Sequence, residues 1–222
     1  MSILLSCYDQ EISPEEIGNR VPQIKDKAGN NRGTINTQLA TWGLSLGFDV
    51  SLYTFDCQII DQSWSELNPQ RIIERLEADK SGIDVPSLGS IWSDPYRQSY
   101  IDFIKAGGKL HIQPSVSSKL LHGLLAEGPI LPCLCFNTLY GAGRSRNEGA
   151  HDSMDDDVNG LAMNHSVVIY GNDSAGNFLI ADPWKKPGLQ TVEPERMLCA
   201  ISTAQIECDN LVFQLTPKNK NF

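Results

Sequence analysis

His165 and Asp182 are the residues of this chain whose types and spacing most directly suggest acid–base chemistry. They stand 17 positions apart within NHSVVIYGNDSAGNFLIADPW, residues 164–184. Ser166 to Tyr170 is a β-branched, aromatic run, and Phe178 to Ala181 is a second. Gly171 to Asn177, between them, is made of turn residues, several able to take positive φ. The pattern predicts a β-hairpin that brings His165, just before its first strand, beside Asp182, just after its second. An imidazole against a carboxylate can act as a general base in an orientation the carboxylate fixes. The structural alternative is a histidine that opens a strand and an aspartate that starts a turn before Pro183.

A base of this kind can activate a nucleophile, and thiols are one class of side chain it can serve. Of the six cysteines, Cys7 precedes Tyr8-Asp9-Gln10-Glu11, whose two acids raise a thiol pKa rather than lower it. Cys133 and Cys135 share one face of an apolar strand-like run, the setting of inert buried thiols, and their spacing is not that of a zinc site. No cofactor and no metal is called for. Asp155-x-Asp157-x-Asn159-Gly160 begins like a calcium loop, but its twelfth position is Ser166 where a bidentate Glu is needed. Residues 141–160 therefore read as an acidic, flexible loop over the site, in which Arg144, Arg146 and Glu148 are candidate contacts for a substrate. Asn164 beside the histidine and Trp184 after Asp-Pro are candidate substrate-binding residues, with strand start and turn anchor as their structural alternatives. His111, His122 and His151 have no clear partners.

Other signals locate the elements that must hold this pair. Ser13-Pro14-Glu15-Glu16 predicts a helix with Ser13 as N-cap, running to about Val21. Thr34 to Leu46 has one apolar face and ends at Gly47, before a strand over Phe48 to Phe55. Asn68-Pro69 opens a helix with Ile72, Ile73 and Leu76 inside. A loop over 79–91, a helix over Tyr96 to Ala106, a strand over Lys109 to Gln113 and a helix from Ser115 or Ser117 to Leu125 follow. Pro129 to Thr138 reads as a buried strand. After the hairpin come a brief helical turn at Glu193 to Met197 and a last strand over Leu211 to Leu215. Helices come mainly first and strands mainly last. This predicts a single domain over 1–222 of the α+β class, N-terminal helices packed on a C-terminal antiparallel sheet.

Composition bounds the function. The 222 residues are 41% hydrophobic and 20% charged, ordinary for a chain with a real core. A net charge of −9 and a pI near 4.9, without a Lys/Arg cluster, argue against nucleic acid. No apolar run approaches the roughly 18 residues of a membrane span, and Met1 to Cys7 lacks the basic and apolar regions of a secretory signal. These readings predict a cytoplasmic protein without membrane insertion, its thiols reduced.

His-Ser-Val-Val-Ile-Tyr-Gly, then Asp-x-x-Gly-Asn, then a strand ending Asp-Pro-Trp, resembles the His/Asp hairpin of papain-like cysteine peptidases, above all the bacteriocin-processing (double-glycine leader) peptidases. Tyr8 to Ile17, Thr37 to Val50 and Ser115 to Phe136 are similar to that family's words in the same order. The resemblance implies a papain-like fold, a peptide or protein substrate, His165 as general base and Asp182 as its orienter. The family's Cys-Gly-Pro-Ala-like nucleophile motif, with a Gln a few residues before it, has no counterpart here; Gln10 follows Cys7 instead. Three accounts stay open. The nucleophile lies upstream of Met1, or the chain is an inactive relative that binds a peptide or protein partner, or Cys7 has moved against His165.

Overall fold

The computed structural model describes residues 1–25, 31–79, 84–85, 90–91, 93–147, 153–204 and 210–218. Through the first half of the chain the elements are α1 (Ser2–Ser6), α2 (Pro14–Arg20), β1 (Ile24–Lys25), β2 (Asn31–Gly33), α3 (Asn36–Ser45), β3 (Phe48–Thr54), a 3₁₀ turn (Gln62–Glu66), α4 (Pro69–Ala78), β4 (Asp84–Val85), β5 (Ser90–Ile91), α5 (Ser93–Lys105) and β6 (Lys109–Ile112). The second half adds α6 (Ser118–Leu125), β7 (Ile130–Cys135), α7 (Phe136–Tyr140), β8 (Ser145–Asn147), β9 (Ser153–Asp155), β10 (Asn164–Ser166), β11 (Val168–Asn172), β12 (Phe178–Ala181), β13 (Leu189–Val192), α8 (Pro194–Ser202) and β14 (Leu211–Pro217).

Capping residues set the helix starts. Ser13 Oγ accepts from Glu16 N, Asn68 Oδ1 from Arg71 N and Ser117 Oγ from Leu120 N, each satisfying an amide with no partner inside its helix. Proline follows the first two caps at the position where a missing N–H costs nothing. Gly47, at φ +89, ends α3 in the left-handed conformation and turns the chain into β3.

One eight-stranded sheet organises the chain, in the order β13-β12-β11-β7-β14-β3-β6, with β10 also on β7. Every neighbouring pair in it is antiparallel except β3 with β6. The fold is α+β, but its halves are not segregated as the element order suggests: β3 and β6 from the first half continue the sheet beyond the C-terminal strand β14. Residues 211–215 of β14 are buried in unbroken succession, which requires cover on both faces. Leu211, Phe213 and Leu215 pack with Leu4 and Leu5 of α1, Ala40 of α3, Ile72 and Leu76 of α4 and Phe103 of α5. Val212 points the other way, into a second core with Leu121 and Leu124 of α6 and Met197, Ala200 and Ile201 of α8. The remaining position on that face is Gln214, 2% exposed, whose Nε2 donates to Leu124 O at 2.7 Å and Gly128 O at 3.0 Å. It ties the C-terminus of α6 to the central strand. Gln214→Leu is expected to cost about 2 kcal/mol by removing both donations, readable as a lower urea midpoint with an unchanged slope.

Four expectations are corrected. The loop expected at 79–91 contains a short ladder, β4 with β5, and another, β1 with β2, joins residues 24–25 to 31–33, while 26–30, 80–83 and 86–89 lie outside the described residues. The buried strand expected to Thr138 ends at Cys135, and Phe136 to Tyr140 turn into α7, closed by Gly141 at φ +61. A short apolar run reads alike as strand and as buried helix. The turn expected at 193–197 extends to Ser202, because Met197, Ala200 and Ile201 recur at helical spacing against the sheet. Strand β13 was not expected; it pairs with β12 from Phe178↔Val192 to Ala181↔Leu189.

Candidate functional site

The hairpin is present, and the strand before it is longer than its residues suggest. Asn164↔Cys135, His165↔Leu134 and Ser166↔Cys133 on β10, then Ile169↔Ile130 on β11, keep one constant register on β7. So β10 and β11 are one course of chain interrupted at Val167, and His165 lies within a strand rather than before one. β11 returns as β12, pairing Val168↔Ala181, with a bulge between Ile169 and Gly171. Asp173 closes the turn by accepting from Ala175 N and Asn177 N. Asp182 then falls one residue past the Val168↔Ala181 pair, on the same side of the sheet as His165.

His165 Nε2 lies 3.0 Å from Asp182 Oδ2. The Asp182 side chain is fully buried and that of His165 is 12% exposed. Oδ2 also receives the Tyr140 hydroxyl, while Oδ1 accepts from Trp184 N at 2.6 Å and Lys185 N at 3.1 Å. Burial alone would raise the carboxyl pKa; the Tyr140 donation, the two amides and the charge of His165 outweigh it and hold Asp182 below the usual carboxylate range. An ionised carboxylate only accepts hydrogen bonds, so Nε2 must carry a proton. In neutral His165 the lone pair is therefore on Nδ1, which bonds to nothing among the described residues. The arrangement can take a proton at one defined nitrogen.

Aromatic rings shape this corner. Phe136 meets the His165 ring edge-on at 5.6 Å and packs on Trp184 at 5.1 Å, and Trp184 lies 5.9 Å from His165. Trp184 is 56% exposed, so its indole both anchors the turn and forms a wall beside the imidazole. Lys185 Nζ sits 5.0 Å above Phe136 and 4.7 Å above Tyr140, within cation–π range of both rings. Asp182 N donates to Gly188 O at 2.7 Å, closing the turn from below. A Cβ at Gly188 would lie 3.0 Å from Asp182 O, which favours glycine there.

The structure does not bring Cys7 to this pair. It caps the C-terminus of α1, with Sγ bonded to Ile3 O at 3.4 Å, and burial of the sulfur pushes its thiol up. Tyr8, next to it, donates to Leu215 O, beyond the Gln214↔Ile130 pair. His165 sits opposite Leu134, four residues further along β7, so about 13 Å of strand rise separate the two places. A helix C-terminus is moreover the end that disfavours a thiolate. Asn164 is on the other side of β10 from the imidazole; its amide donates to Ala204 O at 3.4 Å and its Oδ1 is buried, so it presents nothing to a substrate. Cys133 and Cys135, opposite Ser166 and Asn164, are likewise buried on the far side.

The segment expected as a flexible loop at 141–160 carries a two-stranded ladder, Ser145↔Asp155 to Asn147↔Ser153, with Arg146 paired to Asp156 at 2.7 Å. Asp156 Oδ1 also accepts from Val158 N and Asn159 N, and Arg144 donates to Asp157 O and Val158 O, so these groups hold the segment's own turn. Glu148 and His151 lie outside the described residues. Among the described residues no group of three or more His, Cys, Asp or Glu is placed to hold a metal ion, and no helix is long and apolar enough to cross a membrane. His111 stacks on Tyr53 and His122 on Phe178, away from the pair.

Sequence reasoning passed over Tyr140, Phe136 and Lys185. Lys185 follows Trp184 directly and could have been proposed from that position. Tyr140 lay in the tail of an apolar run, 42 residues from its partner, with no local signal. Compared with protein-family models, curated proteins and solved structures, the chain matches none.

Proposed function

We propose that this protein is a papain-like, cysteine peptidase-like hydrolase or acyl transferase acting on a peptide or amide, with His165 as general base and Asp182 as its orienter. One observation carries the reading: a buried, ionised carboxylate accepts from Nε2 and leaves Nδ1 as the open, proton-accepting nitrogen. A thiol beside Nδ1 would give it its proton, and the thiolate would add to the substrate carbonyl carbon. Nδ1–H would then pass the proton to the leaving amine as the thioester forms, and water or a second amine would resolve the thioester. Trp184 would flank the peptide. The position of Cys7 at the other end of the sheet favours a second reading, a peptidase-like protein that binds a peptide or protein partner without cleaving it.

Alkylation of the purified 222-residue protein with iodoacetamide across pH, with peptide mapping, separates the two. The enzyme reading expects one cysteine to label at pH 6 at least about tenfold faster than the others, and to lose that advantage in His165→Ala. Slow labelling at every cysteine, indifferent to His165, would leave the binding reading.

A further inference from the structure

Tyr140 lies outside the hairpin, on α7, and its hydroxyl shares Asp182 Oδ2 with His165 Nε2. Two features hold it there. Its ring packs on Phe136 at 4.8 Å, and Lys185 Nζ lies 4.7 Å from the centre of its ring. Helix α7 is fixed in turn at Asn137, whose Oδ1 accepts from Met163 N, and at Phe136, whose N donates to Met163 O. The residue after Met163 opens β10. One hydrogen-bonded junction thus ties the helix carrying Tyr140 to the strand carrying His165.

We propose that Tyr140 is a positioning residue for His165: by donating to Asp182 Oδ2 it divides that oxygen between two donors and sets how firmly Asp182 holds the imidazole. The inference rests on the reading of His165 as the base. Burial first, then the bond to Asp182 and its charge, push the phenol well above its ordinary range, so Tyr140 stays a donor wherever His165 titrates. The other acceptor atom, Oδ1, is held by two backbone amides and does not turn away when the phenol is lost. A carboxylate relieved of one donor accepts more strongly from the other, which favours the imidazolium. The charged groups facing the imidazole region are Asp182 from the end of β12 and Lys185 from the turn after it; from α8, Arg196 is engaged with Thr138 O at 3.0 Å. None of these charges is removed by Tyr140→Phe.

The test is the titration of His165 followed by NMR of histidine-labelled protein, in wild type, Tyr140→Phe, Asp182→Asn and the double variant. The Tyr140→Phe midpoint is expected to lie about 0.5–1 pH unit above wild type, and the effect is expected to vanish in the Asp182→Asn background. Incorporation of 3-fluorotyrosine, which strengthens the phenol as a donor, is expected to shift the midpoint the other way. An unchanged or lowered midpoint in Tyr140→Phe, or the same rise without Asp182, would overturn the proposal. The readout needs no turnover. A raised midpoint in a protein with no reactive thiol would keep the role of Tyr140 and remove only the hydrolase reading.

Discussion

Asp182→Ala is expected to lower the thermal midpoint on the order of 10 °C, the largest effect of any single substitution near the site. The Asp182 carboxylate receives four donors: the Tyr140 hydroxyl, His165 Nε2, Trp184 N and Lys185 N. Alanine leaves all four facing a void, and uncompensated polar groups in such a place cost about 4 kcal/mol together. Asp182→Asn separates stability from chemistry. Its carbonyl oxygen keeps the two backbone amides, so most of the stability is retained. Its uncharged amide cannot favour an imidazolium, and the His165 titration is expected to move below that of wild type. The wild-type carboxylate also predicts a pH effect of known sign. Its folded pKa is below its unfolded value, so its contribution is fully present above the unfolded pKa and disappears as pH falls through the folded one. Calorimetry at pH 7 and pH 3 on both variants checks this. Equal midpoints for Asp182→Ala and wild type at pH 7 would mean that the carboxylate carries no such network.

What the residues reveal before folding, and what they hide, follows from how far each interaction reaches. Hairpin, turn and helix caps are local. Ser13, Asn68 and Ser117 bond amides three residues on, so spacing alone identifies them. The β11–β12 pairing is nearly local too, which is why His165 and Asp182 could be placed together from a turn and two strand runs. Tyr140 and Phe136 reach the site only because β7 ends at Cys135 and the chain folds back as α7, which an apolar run does not announce. The insertion of β14 between β7 and β3 joins it to β7 residues at least 80 positions away and to β3 residues more than 150 away, and no periodicity encodes it. Cys7 failed for a related reason: its distance from His165 is set by where α1 lies on the sheet, which its own neighbours do not determine.

Asp56 carries the second large prediction, one that no motif suggested. It follows β3 at the same end of the sheet as His165: Phe55 N donates to Asn210 O, and extending the Val212↔Pro132 register by two residues sets Asn210 beside Leu134, the partner of His165. The residue is 3% exposed; Oδ1 accepts from Gln58 N and Ile59 N, but Oδ2 has no partner among the described residues. Burial pushes its pKa up to about 6, against two backbone donations that lower it. The sign is opposite to that of Asp182. Between the ordinary carboxyl value of 3.8 and about 6, the folded state holds a proton that the unfolded state has released, so stability declines as pH rises through this window. The full decline is on the order of 3 kcal/mol, since each pKa unit is worth about 1.4 kcal/mol. Asp56→Asn keeps the Oδ1 acceptor and removes the charge. Any constant cost of the new amide cancels when variant and wild type are each compared between two pH values. The stability difference, variant minus wild type, is therefore expected to grow by about 2 kcal/mol from pH 4 to pH 7 in urea titrations. A difference that does not change with pH would show that the Asp56 charge is solvated in the folded protein. The predicted growth would show that this end of the sheet holds a destabilising charge at neutral pH, a cost evolution tolerates most often where a site requires it.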